Sequence, residues 1–294
     1  MFNIFGEKVI RLIKLAAIDI DGTLLDDNGS IPENNLKALK KASAEYSVEI
    51  VLCTGRGASA FDIAKKLEIP CHLISANGVY VFDDISSEPI IKNYLKENAK
   101  IKILNFLEQN SLDVDYYIVL GFEENFHMIY KLRDSHDTYF LNFVKGRDLF
   151  KPTYPQKNLL DFVKSPISHI GIVGRYEKLK YLVGILKNLT SNVNVILYYA
   201  SDNKEYGFLE ILDSESSKEK ALLKLLRIKM ISPENLLAIG DNFNDIGMFQ
   251  LAQISIAVAN APDEVKSFAK FVTYATNNQG AVAEAFERFI FSEK

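Results

Sequence analysis

The sequence predicts an α/β fold: a parallel sheet with crossover helices, interrupted by an inserted α+β domain. Three observations carry this expectation. Short apolar runs alternate with helical patterns at both ends of the chain. Several of those runs stop abruptly in turns that carry acids, glycine or hydroxyls, as strand ends of a parallel sheet do. Between residues 84 and 206 the rhythm changes to mixed strands and helices rich in Tyr and Phe.

The first strand is Leu15-Ala16-Ala17-Ile18, apolar without strict alternation and so covered on both faces. It ends in Asp19-Ile20-Asp21-Gly22-Thr23, where Gly22 permits a sharp exit and Thr23 can hydrogen-bond the turn. Asp19 and Asp21 are two apart, but the chain is turning, so their carboxylates fan apart. Ser30-Ile31-Pro32-Glu33 reads as a helix start, followed by Leu36, Leu39 and Ala42 at helical spacing. Val48 to Cys53 is a strand ending in Thr54-Gly55-Arg56; a helix through Phe61, Ala64 and Leu67 stops before Pro70. His72 to Ser75 is another strand with Ala76-Asn77-Gly78 as its exit, and Val79 to Asp84 with Pro89 to Lys92 read as a hairpin.

In the middle of the chain, helices are expected over Ala99 to Gln109 and Glu177 to Leu189. Strands are expected over Tyr116 to Leu120, Phe126 to Leu132, Ile167 to Val173 and Asn194 to Tyr199. The stretch around Pro152, Pro155 and Pro166 reads as loop. The α/β rhythm returns after Leu212 with a helix from Lys218 to Arg227. The strand Leu236 to Ile239 then runs into Gly240-Asp241-Asn242-Phe243-Asn244-Asp245. A helix from Ile246 to Leu251, a strand from Ile254 to Val258, a helix opened by Pro262 and a last helix from Gly280 to Phe291 complete the chain. The expected division is therefore a core of residues 1–83 and 207–294 with an inserted domain of 84–206.

Composition narrows the function classes. With 294 residues, 48% hydrophobic and 24% charged, the chain can bury a sizeable core in one large domain or two moderate ones. A net charge of −4, spread along the sequence, argues against a nucleic-acid-binding surface. Cys53 and Cys71 stand alone in apolar segments, which fits buried thiols in a reducing compartment rather than a disulfide framework or zinc site. Met1 to Lys14 lacks the small-residue cleavage site of a signal peptide, and no apolar run reaches membrane-spanning length, so a cytoplasmic protein with no membrane partner is expected.

Four positions carry chemistry. Asp19 and Asp21 offer a nucleophile and a proton carrier, with a hard cation to keep the first ionised; a turn of solvated acids or a calcium loop is the plainer alternative. Thr54-Gly55 offers a hydroxyl and a backbone N–H for a phosphate oxygen, or an ordinary helix cap. Lys218 opens a helix, where a cation is unfavourable beside the dipole's positive end and implies an anionic partner unless it is simply solvated. Asp241, Asn244 and Asp245 bring further oxygen ligands, without the spacing or terminal glutamate of an EF-hand.

As a set, in this order, Asp19-Ile20-Asp21-Gly22-Thr23, Thr54-Gly55-Arg56, Lys218 and Gly240 to Asp245 resemble the four motifs of the haloacid dehalogenase (HAD) superfamily. Leu24-Leu25, Ser75-Ala76-Asn77-Gly78 and the long gap before Lys218 are similar to its Cof-type branch with a type IIB cap. The resemblance implies a Rossmann-like, HAD-like core and a Mg²⁺-dependent phosphatase acting on a small phosphorylated metabolite, with a sugar phosphate favoured. It implies that Asp19 attacks phosphorus to form an aspartyl-phosphate and that Asp21 serves as acid, then base. Ile20, Thr54, Gly55, Lys218 and Asn244 would meet the phosphate. Asp19, Asp21 through its backbone carbonyl, Asp241 and Asp245 would form the metal site. An acid at Asp21 points to phosphate esters, because the superfamily's dehalogenases and phosphonatases lack it.

The inserted domain would act as a cap that excludes water and selects the substrate. Its aromatics (Tyr116, Tyr117, Phe122, Phe126, Tyr130, Tyr139, Phe140) read as core more readily than as a sugar platform, and His127, His136 and His169 as structural. A phosphomutase or phosphotransferase of the phosphomannomutase type and a catalytically silent binding protein are the alternative functions. The residues ahead of the first strand are read as a surface extension.

Overall fold

The protein is represented by a computed structural model that describes residues 12–110, 112–148, 153–200 and 203–293. Most of the extension ahead of the first strand, and Pro152, lie outside the described residues. Along the chain, β1 (Leu15–Asp19) leads through an irregular turn, Ile20–Leu24, to α1 (Glu33–Tyr46) and β2 (Glu49–Cys53). Next come α2 (Ala60–Lys66), β3 (His72–Ser75), β4 (Tyr80–Phe82) and β5 (Ile91–Lys92). The inserted segment contains α3 (Glu97–Gln109), β6 (Asp115–Leu120), β7 (Met128–Lys131), α4 (Thr138–Asp148) and β8 (Thr153–Gln156). It continues with β9 (Ile167–Arg175), α5 (Tyr176–Leu189), β10 (Val193–Tyr199) and β11 (Tyr206–Asp213). The chain ends with α6 (Lys218–Lys229), β12 (Leu236–Gly240), α7 (Ile246–Leu251), β13 (Ile254–Ala257), α8 (Asp263–Lys266), β14 (Phe271–Val272) and α9 (Ala281–Phe289).

These elements form two compact units, one of residues up to Lys92 together with those from Ser217 onward, the other Asn93–Ser216. The first holds a sheet ordered β14-β13-β12-β1-β2-β3-β4-β5. The strands from β14 to β3 are parallel, and β4 and β5 add an antiparallel edge. Every residue of β1 and β12 is buried, as expected of apolar strands covered on both faces. Here the chain runs outward from β1 in one direction through β2 and β3, and later in the other through β12 and β13. β1 is thus the switch point, and the carboxyl ends of β1, β2 and β12 frame the crevice where ligands of open α/β sheets bind.

The second unit holds a sheet ordered β10-β11-β9-β6-β7-β8, antiparallel except for the β7–β8 pair. Leu104 and Leu107 of α3 and Leu179, Leu182 and Leu186 of α5 pack with Ile118, Ile170, Ile172, Leu209 and Ile211 into one core. Of the aromatics, Tyr116, Tyr117, Phe126 and Phe140 are buried, whereas Tyr139 stacks on Tyr206. His136 bonds Asp115 through Nδ1 at 2.8 Å, and burial pushes the His169 imidazole down to about 3, so it stays neutral.

The unit boundaries differ from the expected 83/84 and 206/207. The arm to Lys92 stays with the first sheet because β5 completes the hairpin with β4. Residues 206–213 belong to the second because β11 pairs with both β9 and β10; its polar positions, Glu210 and Asp213, had hidden it as a strand. The proline-rich region yields β8, with Pro155 paired at a parallel edge. α4 was not foreseen. Its aromatic residues contact the sheet face opposite the main core, Phe143 meeting Tyr117 and Phe208 at ring distances of 5.5 and 5.1 Å, so it lacks a simple apolar stripe.

Gly171 in the middle of β9 lies directly beneath the Tyr117 ring, and a Cβ there would fall 2.1 Å from it. Gly171→Ala is expected to destabilise the second unit by about 2 kcal/mol, as overpacking does, and urea unfolding followed by tyrosine fluorescence checks it.

Candidate active site

The site is assembled at the carboxyl edge of the parallel sheet. The β1–β2 register pairs Asp19 with Cys53, so Thr54 follows beside Asp19 on the neighbouring strand. The β1–β12 register pairs Ile18 with Ile239, bringing Asp241 out on the other side. Asp19 ends its strand extended and buried. The chain then turns through Gly22 at φ 74°, and Asp21 emerges exposed. The two carboxylates do diverge. A Cβ at Gly22 would lie 2.5 Å from Oδ2 of Asp241, so this glycine supplies both the turn and the space for that carboxylate.

Asp19, Asp241 and Asp245 each bring a carboxylate oxygen within 4.8 Å of the other two. Lys218 stands among them: its Nζ donates to Oδ1 of Asp19 at 2.5 Å and to Oδ1 of Asp245 at 2.7 Å. The lysine begins α6, whose N-cap Ser217 accepts from the Lys220 N–H. Its cost beside the helix dipole is offset by the anionic partners its position implied. Asp245 is fully buried, and its Oδ2 accepts the backbone N–H groups of Asp241 and Asn242, each at 3.0 Å. It therefore ties its own loop to the lysine. Thr23 donates its hydroxyl to Oδ1 of Asp241 at 3.1 Å.

Burial raises the Asp19 carboxyl well above the usual range; Lys218 pulls it back, while Asp245 and Asp241 push it further up. Asp241 is pushed up to about 6, by burial first and then by Asp245. Burial opposes the charge on Lys218, but the attraction of Asp19 and Asp245 wins and raises it above the ordinary lysine value. Three carboxylates against one ammonium leave buried negative charge uncompensated. An oxygen-only donor set with surplus negative charge fits a hard divalent cation, held by Asp19, Asp241 and Asp245. Bound there, the cation would bring the acids back to their ionised forms.

The remaining residues fall around this centre. Asp21 is not part of the carboxylate cluster; both its oxygens accept from Arg56, from Nε at 2.8 Å and Nη2 at 2.5 Å. A metal role through that side chain does not match the placement, and only its backbone carbonyl is left for one. Ile20 is fully buried, so its side chain is core and any phosphate contact falls to its backbone. Thr54 is buried, and its hydroxyl accepts the Arg56 N–H at 3.0 Å, which shapes the tight turn; Gly55 is exposed. Asn244 donates to Oδ1 of Asn77 at 3.1 Å, and its own Oδ1 is buried with no partner among the described residues. Cys53 and Cys71 are free and buried, and burial pushes the Cys71 thiol up to about 11 and Cys53 higher still, which leaves them inert.

Sequence reasoning gave no role to the side chains of Arg56 or Asn77, and read Thr23 as a turn residue, whereas its hydroxyl goes to Asp241. The signal for Arg56 was its position directly after Thr54-Gly55. Asn77 had a weaker one: it takes a left-handed backbone conformation (φ 52°), which asparagine tolerates better than most residues.

A switch-point crevice, a buried acid at a strand end and a lysine–carboxylate cluster define an α/β protein with a charged ligand site at the carboxyl edge of its parallel sheet. The model of the haloacid dehalogenase-like hydrolase family matches residues 16–286, and the chain belongs to that family. It is 29% identical over 289 residues to the 5-amino-6-(5-phospho-D-ribitylamino)uracil phosphatase YcsE of Bacillus subtilis, covering 95% of this chain and 96% of that one. It is 25% identical over 283 residues to the pyridoxal phosphate phosphatase YbhA of Escherichia coli, covering 95% and 98%. Its fold matches a HAD subclass IIB sugar phosphatase with a TM-score of 0.73 at 20% identity, covering 94% and 98%. The protein is a phosphoric monoester hydrolase of the HAD type. Among the described residues, no helix is long and apolar enough to cross a membrane.

Lys218→Met is expected to destabilise the protein by about 3 kcal/mol or more, because it strands buried carboxylates without their counter-ion. The loss should be greatest above neutrality and smaller in mildly acidic buffer, where Asp19 and Asp241 take up protons. Denaturant unfolding of both proteins across that pH range measures it.

Proposed function

We propose that the protein is a Mg²⁺-dependent phosphatase of a small phosphorylated metabolite, most directly a sugar phosphate, working through an aspartyl-phosphate. The observation that carries this reading is the buried Asp19 carboxylate held by Lys218 beside two further acids. Mg²⁺, when bound, supplies charge that offsets the phosphoryl oxygens and keeps the carboxylates ionised.

An Asp19 oxygen attacks phosphorus, a P–O bond to Asp19 forms, and the bond to the ester oxygen breaks. Asp21 gives its proton to the departing alkoxide. As a carboxylate, Asp21 then takes a proton from water, whose oxygen attacks phosphorus; the bond to Asp19 breaks and inorganic phosphate leaves. The bidentate Arg56 suits the ionised Asp21 that the second half uses, and one of its two bonds is given up when Asp21 carries the proton. Lys218 and the Thr54–Gly55 turn stabilise charge on the transferring group, which is where most catalysis of phosphoryl transfer originates.

The sugar-phosphate assignment is supported by the phosphorylated ribityl chain in the name of one relative's substrate and by the sugar phosphatase among the fold neighbours. Because the relatives' named substrates differ, discrimination among esters is assigned to the inserted segment rather than to the shared carboxylates.

A panel of phosphorylated sugars, pyridoxal phosphate and a generic aryl phosphate, ranked by kcat/KM for phosphate release, tests the reading. Sugar phosphates should lead, chelation should stop turnover, and added Mg²⁺ should restore it. Asp19→Asn should abolish release, and Asp21→Asn should lower kcat by about 10²–10⁴-fold. Turnover surviving in Asp19→Asn would refute the mechanism, and isomerised ester in place of free phosphate would make the protein a mutase.

A further inference from the structure

The loop that carries Asp21 is pinned by three asparagines from three distant segments. Asn260, in the turn after β13, donates from Nδ2 to the Gly22 carbonyl at 2.8 Å, and its Oδ1 accepts the Asn277 N–H at 2.9 Å. Asn277, just before α9, donates to the Leu25 carbonyl and to Oδ1 of Asp27, each at 3.0 Å. Asn35 sits in the buried stripe of α1 with Ala38, Leu39 and Ala42; it donates to the Leu24 carbonyl at 3.1 Å and accepts the Ala283 N–H at 2.9 Å. Asn35 and Asn277 are buried, and an uncharged amide there is costly unless it is hydrogen-bonded. Asn35 is bonded at both ends, and Asn277 donates twice from its Nδ2.

Each of these side chains donates to a carbonyl of the loop, and Asn260 and Asn35 also accept a backbone N–H from elsewhere in the same unit. That is more than a turn needs. Gly22 is the hinge between Asp21 and Thr23, and Thr23 holds Asp241. Fixing the Gly22 carbonyl fixes the Gly22–Thr23 peptide plane, which leads forward to the partner of Asp241 and is joined through the Gly22 Cα to the peptide of Asp21.

We infer that Asn260 is a positioning residue for the reaction: through the Gly22 carbonyl it sets the direction of Asp21 and the placement of Asp241, with Asn277 and Asn35 holding the loop beyond. This inference rests on the phosphatase mechanism proposed above. Phosphoryl transfer depends on placement, and a shift of about 1 Å in a reacting group can cost about a hundredfold in rate.

Asn260→Asp removes only the donor to Gly22 and keeps the acceptor for Asn277; Asn260→Ala removes both without adding charge. Each variant is assayed on an aryl phosphate with saturating Mg²⁺, alongside thermal unfolding and amide hydrogen exchange. The expected result for both is a kcat reduced by about tenfold or more with little change in KM. Exchange should be faster at residues 21–24, while the strands stay protected and the unfolding temperature stays close to that of the parent. Wild-type kcat with wild-type exchange in that loop would overturn the inference. So would a rate that falls only in step with general loss of protection, which is what a purely structural role predicts. If the parent protein releases no phosphate, the mechanism fails instead, and the exchange at residues 21–24 alone decides whether Asn260 holds the loop.

Discussion

The ion cluster around Lys218 is the constraint on which the rest of the structure depends. Its ammonium lies between Asp19 and Asp245, groups contributed by β1 and by the loop after β12, while the lysine itself comes from α6. Burying one such charge is expensive, and burying Asp19, Lys218 and Asp245 together, with Asp241 half-buried beside them, is tolerable only when they compensate one another. The cluster therefore dictates that the ends of β1 and β12 stay together and that α6 start against them. It also leaves a surplus of negative charge, which is what a cation-dependent site requires before its cation arrives.

The glycine and asparagine chemistry around the cluster follows from that requirement. Asp241 is adjacent to a residue with no side chain, Gly22, and is held by Thr23. Asp245 spends one oxygen on its own loop and one on Lys218, so a single carboxylate braces both backbone and charge. Around them, neutral amides bond loop carbonyls without adding to an already crowded electrostatic balance. Asparagine is suited to this, since it offers a donor and an acceptor at no cost in charge.

Much of the core was legible in the sequence because parallel strands buried on both faces read as short apolar runs with chemistry at their ends. β1, β2, β3 and β12 and the groups that follow them were all placed that way. Lys218 was legible only in part: a lysine at a helix start hints at an anion but can equally be solvated, and its place among the four motifs gave it its role. Arg56 was harder to read: its fork to Asp21 depends on the outward turn at Gly22, which decides where that carboxylate goes. Asn35 was hidden because it occupies a helical core stripe where an apolar residue is expected, and only the tertiary structure shows the carbonyl it serves. The inserted unit was legible as a class but not in detail. α4 packs through scattered aromatics without an apolar period, and β11 alternates with Glu210 on the face opposite the main core, so neither matched a simple pattern.

Placing the nucleophile at Asp19 is the central claim, and covalent capture tests it most directly. Enzyme mixed with excess sugar phosphate and Mg²⁺, quenched in acid during steady-state turnover and mapped by mass spectrometry, should show an added phosphoryl group on the peptide containing Asp19. That peptide should be unmodified in Asp19→Asn. A phosphoryl group on any other residue, or none anywhere while free phosphate accumulates, would contradict the account.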